Sequence, residues 1–110
     1  MSKFLKIIYN NKTVLEYDRN TRLPGKRRQF FDMMDIDMDE GIIINGDLIE
    51  LPDQNHRAKY VAMNLIDGVQ KQDDSLISVT LAYLGSRIPA LKEIRATVSN
   101  DDISMELIYE

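Results

Sequence analysis

Apolar residues recur at every second position near both ends of this chain and at every third or fourth position through its middle. Such a chain has to combine strands with helices. Side chains alternate across a strand with period 2 and return to one helix face with period 3.6. Near the start, Leu5, Ile7 and Tyr9 alternate with Phe4, Lys6 and Ile8. Near the end, Ile94, Ala96 and Val98 alternate with Glu93, Arg95 and Thr97, and Ile103, Met105, Leu107 and Tyr109 with Ser104 and Glu106. Between them, Ala58, Val61, Ala62, Leu65, Ile66 and Val69 make one helical stripe, and Leu76, Ile77, Thr80, Leu81 and Leu84 another.

Turn residues divide these runs into elements. Asn10-Asn11-Lys12 separates strands over 4–9 and 13–17. Ile42-Ile43-Ile44, Asn45-Gly46 and Asp47-Leu48-Ile49 form the clearest local signal, because Asn-Gly suits the positive φ angles of a type I′ hairpin turn. Ser99-Asn100-Asp101-Asp102 marks a third hairpin. A helix is predicted over 24–38, with Pro24 at its first position, Phe30, Phe31, Met34 and Met38 on one face, and Gly41 ending it. Asp53 is placed to cap a helix over 54–70, and Asp73 or Asp74 a further one with Gly85 just past its end. The order ββ-α-ββ-αα-ββ predicts an α+β fold: an antiparallel sheet built from hairpins, with three helices packed on one face. At 110 residues, with no linker or repeat, residues 1–110 read as a single domain.

Composition removes several chemistries. There are no cysteines, which excludes disulfides, thiolate nucleophiles and cysteine zinc sites. A single histidine rules out a histidine-built metal site, and no metal or cofactor is expected. The net charge of −4 works against global attachment to nucleic acid or anionic lipid. No run approaches the ~20 apolar residues of a membrane span, so no membrane partner is expected, and the cytoplasm is the default compartment. The broken apolar run at 4–9 reads as a strand and not as a secretory leader.

One segment breaks a local rule. Arg19, Arg22, Lys26, Arg27 and Arg28 are followed by Asp32, Asp35, Asp37, Asp39 and Glu40. On one helix, this puts positive charge at the N-terminal end and negative charge at the C-terminal end, both against the helix dipole. Rules broken this way point to a function or a partner. The basic half suits an anion: a phosphate, a nucleic-acid backbone or an acidic protein surface. Pro24-Gly25-Lys26 is no P-loop, lacking the first glycine and the Ser/Thr after the lysine. Asp35, Asp37 and Asp39 share the start of an EF-hand spacing, but Glu40 and Gly46 stand where its glycine and bidentate glutamate belong. The same helix carries more apolar residues than one face needs; core packing with partial cover by the second hairpin accounts for them, and exposure of Met33 and Ile36 would instead make it a contact surface. His56, near a helix start beside Arg57, reads as a surface or capping residue, with no nucleophile context around it.

The expectation is a small non-enzymatic protein-interaction or regulatory module with a protein partner or self-association. The alternative is a phosphate-ligand or nucleic-acid binder acting through 19–28. The residues singled out are Arg19, Arg22, Lys26, Arg27, Arg28, Met33 and Ile36, with no catalytic residue among them.

Overall fold

The computed structural model describes residues 3–110. Strands β1 (Phe4–Tyr9) and β2 (Lys12–Asp18) lead to helix α1 (Gly25–Asp39) and then to the short strands β3 (Ile42–Ile44) and β4 (Asp47–Ile49). Helices α2 (Gln54–Lys71) and α3 (Asp74–Arg87) follow, and β5 (Leu91–Ser99) and β6 (Asp102–Tyr109) close the fold. The α+β class and the element order agree with the sequence pattern. Among the described residues, no helix is long and apolar enough to cross a membrane.

All three hairpins turn in two residues, since Tyr9 pairs with Lys12, Ile44 with Asp47 and Ser99 with Asp102. Each turn opens on an asparagine in the left-handed region: Asn10 at φ 50°, Asn45 at φ 52° and Asn100 at φ 55°. Asparagine tolerates that region better than other residues with a side chain, so one piece of turn chemistry is used three times.

The main sheet has four strands in the order β2-β1-β5-β6. It is mixed and not purely antiparallel, because β1 and β5 run parallel. Those two strands carry Leu5, Ile7, Leu91, Ile94 and Ala96, all buried, so burial draws them to the centre and leaves β2 and β6 at the edges. Each is the first strand of its hairpin, and the chain between them crosses over through the helices. That connection allows a parallel pair, which no tight turn can join. Asn10 fastens the junction: its backbone N–H donates to the Ala96 carbonyl at 2.9 Å, and its Oδ1 accepts from the Val98 N–H at 2.8 Å. The second departure is that β3 and β4 form a separate two-stranded sheet. With three residues per strand they bury Ile42 by packing on α2 instead of extending the large sheet.

The pairing register sorts side chains by face. Leu15, Ile7, Ile94 and Leu107 form one row toward the helices, while Glu16, Lys6, Glu93 and Ile108 form the adjacent row on the open face. Against the first face lie Ala58, Val61, Ala62, Leu65 and Ile66 of α2 and the fully buried stretch Thr80–Gly85 of α3. The Asp53 side chain caps α2 by accepting from the His56 N–H at 2.8 Å, and His56 Nδ1 accepts from the Asp53 N–H at 3.2 Å. His56 thus completes a capping box. Asp73 caps α3 through the Leu76 N–H at 3.1 Å.

Gly85 does not end α3, which runs on to Arg87. It is buried inside the helix because the Tyr17 ring lies against its Cα, and a Cβ there would stand 2.2 Å from Tyr17 Cδ2. Gly85→Ala is therefore expected to cost about 1–3 kcal/mol by overpacking. Combined with Tyr17→Ala, it should cost less than the sum of the two single changes, because the clash is gone in the double variant. Urea unfolding of the four proteins reads this directly.

Candidate functional site

Helix α1 carries five of the seven residues that the sequence singles out, and its two sides do different things. Phe31 and Met38, seven residues apart, are buried in the core. Phe31 meets Tyr83 of α3 edge to face, with ring centroids 5.6 Å apart. On the flank of that buried stripe, Asp32, Asp35 and Asp39 turn toward two arginines. Arg87 Nη2 lies 2.8 Å from Asp32 Oδ1, and Arg87 Nη1 lies 3.3 Å from Asp35 Oδ2. Arg57 Nη1 lies 3.3 Å from Asp35 Oδ1 and donates to the Asp35 carbonyl at 3.0 Å, while its Nη2 pairs with Asp39. The Tyr83 hydroxyl also donates to Asp35 Oδ1. Asp35 therefore gathers one tyrosine and two arginines from the neighbouring helices, and the Arg87 guanidinium sits 5.7 Å over the Phe31 ring.

This network explains the acidic half of the segment. The carboxylates that oppose the α1 dipole are tied to cations of α2 and α3, whose attraction offsets the local cost. The same geometry bears on the spacing Asp35-x-Asp37-x-Asp39. Residues two apart on a helix point about 200° away from each other. Asp35 and Asp39 accordingly face Arg57, while Asp37 is exposed on another side. Among the described residues, no three acids or histidines converge as metal ligands.

The basic half divides. Arg19 stands apart from the other cations: its Nη1 donates to the carbonyl of Gly85 at 2.6 Å and also reaches that of Ile88 at 3.4 Å, and its Nη2 donates to that of Leu91. It caps the C-terminal end of α3, where free carbonyls and the dipole favour a cation. Burial lowers its pKa, with partial compensation from Glu110 and Tyr17. Arg22, Lys26 and Arg28 are exposed and Arg27 is half-buried. Lys26 and Arg27 line a shallow cleft of about 390 Å³ with Phe30, Ser75 and Val79. The N-terminus of α1 has no side-chain cap and no acid in its first turn.

Met33 and Ile36 are each 61% exposed and Phe30 is 47% exposed, so the apolar excess of α1 faces outward. Just beyond the helix, Ile43 and Leu48 pair across the β3–β4 hairpin and are exposed to a similar degree. Leu48 lies close to Gly41, which ends α1 at φ +118°. An open groove of about 550 Å³ between α2, the β3–β4 turn and β6 is lined by Met63, Ile103 and Met105 among others and contains none of the singled-out residues. Sequence reasoning missed Arg57, Arg87 and Tyr83. Their one signal was the surplus of acids on α1, which needed cations from elsewhere in the chain.

No known protein family, curated protein or solved structure matches this chain.

Two measurements check the network. Asp35→Ala strands two arginines and a phenol and is expected to cost about 1–3 kcal/mol in urea unfolding. Asp32→Asn at the exposed margin should cost no more than about 0.5 kcal/mol. Burial, together with the hydrogen bond to Asp35, raises the Tyr83 pKa above its ordinary value of 10.0. The protonated phenol is thus favoured in the folded state. Its contribution is whole below pH ~10 and is lost as the pH climbs from there through the raised folded value. Tyr83→Phe should accordingly show a shallower loss of stability between pH 9 and pH 11 (roughly the range bracketing an unfolded tyrosine) than the parent protein.

Proposed function

We propose that this domain is a non-enzymatic protein-interaction module whose docking surface is the outward face of α1. One observation carries the reading: Phe30, Met33 and Ile36 are exposed along a helix whose opposite face is fully engaged with the core and with Arg57 and Arg87. A helix whose only task was to cover the core would carry polar residues there. Apolar side chains held out on a well-anchored helix, with charges at both ends, have the make-up of an interface centre with a polar rim. Two of the three are methionine and phenylalanine, residues enriched at interface cores.

The test uses the intact chain as bait. Met33→Glu/Ile36→Glu should abolish capture of a stoichiometric protein, whether another chain or a tagged second copy. It should leave the thermal midpoint within about 2 °C, because surface substitutions away from special features seldom change stability by more than ~0.5 kcal/mol. Capture that survives this double change would remove α1 as the docking surface.

A second reading has its own support. The uncapped N-terminus of α1 and the cleft beside Lys26 and Arg27 suit a phosphate group or a nucleic-acid backbone, with Arg22 and Arg28 nearby in sequence. Binding of a labelled duplex or single strand should then weaken steeply between 50 and 200 mM salt (roughly the range over which phosphate contacts are screened). A salt-independent affinity, or none, would discard it.

A further inference from the structure

We infer that the partner docked on α1 is a second copy of this chain, packed antiparallel through a two-fold axis that passes at Met33. The inference rests on the proposal that the outward face of α1 is a docking surface, and it names the occupant.

The exposed stripe of α1 is symmetric about Met33. Lys26, Met33 and Glu40 are seven residues apart, so they fall on nearly one line along the helix. Glu40 belongs to that line because it keeps right-handed helical angles at the C-cap (φ −75°, ψ −9°). Gln29 and Phe30 lie three and four residues before Met33, and Ile36 and Asp37 lie three and four residues after it. Lys26, Gln29, Phe30, Met33, Ile36, Asp37 and Glu40 are all exposed, and among the described residues none of them makes a hydrogen bond or ion pair within its own chain through its side chain. A two-fold axis at Met33 sets Met33 against its own copy, Phe30 against Ile36 of the second copy, and Lys26 against Glu40 of the second copy. The stripe is thus its own complement: apolar in the middle, positive at one end, negative at the other. This is what a two-fold interface requires, because the same patch serves both sides.

The antiparallel arrangement also answers the question of the reversed charges. The inner acids, Asp32, Asp35 and Asp39, are compensated by Arg57 and Arg87, but Lys26 at the helix start and Asp37 and Glu40 at its end are not. In the two-fold pair the basic start of each helix lies beside the acidic end of the other, about 21 Å from its own. Lys26 and Glu40, each of which opposes its own helix dipole, then face the opposite charge on the second copy, while Asp37 lies beside Gln29. A parallel arrangement would align like charges instead, so the stripe selects direction as well as partner.

The apolar area of one short helix face is modest. Total burial should fall at or below ~1,200 Å², the lower end for specific interfaces, which describes a reversible dimer. Sedimentation equilibrium of the full chain from about 1 to 500 µM (a range chosen for an interface of that size) should show a monomer–dimer equilibrium. Lys26→Glu should weaken dimerisation roughly tenfold, because it replaces two attractive pairs with two repulsive ones. Glu40→Lys should do the same, and the two together should restore it. Since the chain has no cysteine, Met33→Cys introduces a single thiol placed on the axis, where a symmetric disulfide can form under mild oxidant. Thr97→Cys, on the open face of the sheet, should stay reduced or cross-link only slowly. A species monomeric throughout that range, a dimer insensitive to Lys26→Glu and Glu40→Lys, or equal cross-linking at residues 33 and 97 would each overturn the inference. If the chain is monomeric yet a different protein is captured in a Met33- and Ile36-dependent way, only the second-copy assignment fails. If that capture is absent too, the docking surface itself falls.

Discussion

Asp35 is the point on which the placement of α1 turns. It accepts from Tyr83 and pairs with Arg57 and Arg87, so three groups from two other helices converge on one side chain of α1. Without it, α1 would be held by burial of Phe31 and Met38, each contributing about 1.5–3 kcal/mol, and by the more exposed pairs of Asp32 with Arg87 and Asp39 with Arg57. Burial of two side chains brings a helix to the core but specifies its rotation loosely. The carboxylate adds the direction. Desolvating charges offsets much of their attraction, so such a network adds orientation more than net stability, while removing one member strands the others. The rotation that Asp35 fixes is also the one that turns Phe30, Met33 and Ile36 to the solvent.

Arg19 does a comparable task at the same, C-terminal end of α3. Its guanidinium reaches carbonyls of Gly85, Ile88 and Leu91, spanning the end of the helix and the start of β5. The Arg19 N–H in turn donates to the Lys3 carbonyl at 3.0 Å, so the same residue ties the end of β2 to the start of the first hairpin. Together with the Tyr17 ring against Gly85, it locks the edge of the sheet to the buried helix. Of the five cations in 19–28, the one earliest in the chain is thus structural, and the exposed ones sit around the start of α1.

Local patterns made the elements legible, and only tertiary contacts settled their arrangement. The three turns were readable because positive φ favours the asparagine that opens each of them, and the helices because their apolar stripes recur at 3.6. The parallel pairing of β1 with β5 left no such trace: it depends on which strands bury most and on Asn10 reaching Ala96 and Val98, 86 and 88 positions away by residue number. Gly85 looked like a helix stop because nothing in the sequence indicates that Tyr17 packs on it. The charge segregation of 19–40 was visible as a broken rule, and the structure accounts for its acidic inner part. The inner acids answer to Arg57 and Arg87, which no local rule could assign, while among the described residues the side chains of Lys26, Asp37 and Glu40 make no hydrogen bond or ion pair. Exposure of Met33 and Ile36 could be posed from sequence as a condition, and the structure meets that condition.

The account makes α1 a helix of two faces, one for folding and one for binding. A saturation scan of residues 25–40, read in parallel for folded abundance and for capture of a second copy or another protein, tests this most directly. The account predicts that substitutions at Phe31, Asp35 and Met38 lower abundance, whereas those at Lys26, Phe30, Met33, Ile36 and Glu40 lower capture at normal abundance. A scan in which the outer residues control folding, or in which capture follows abundance at every position, would contradict it.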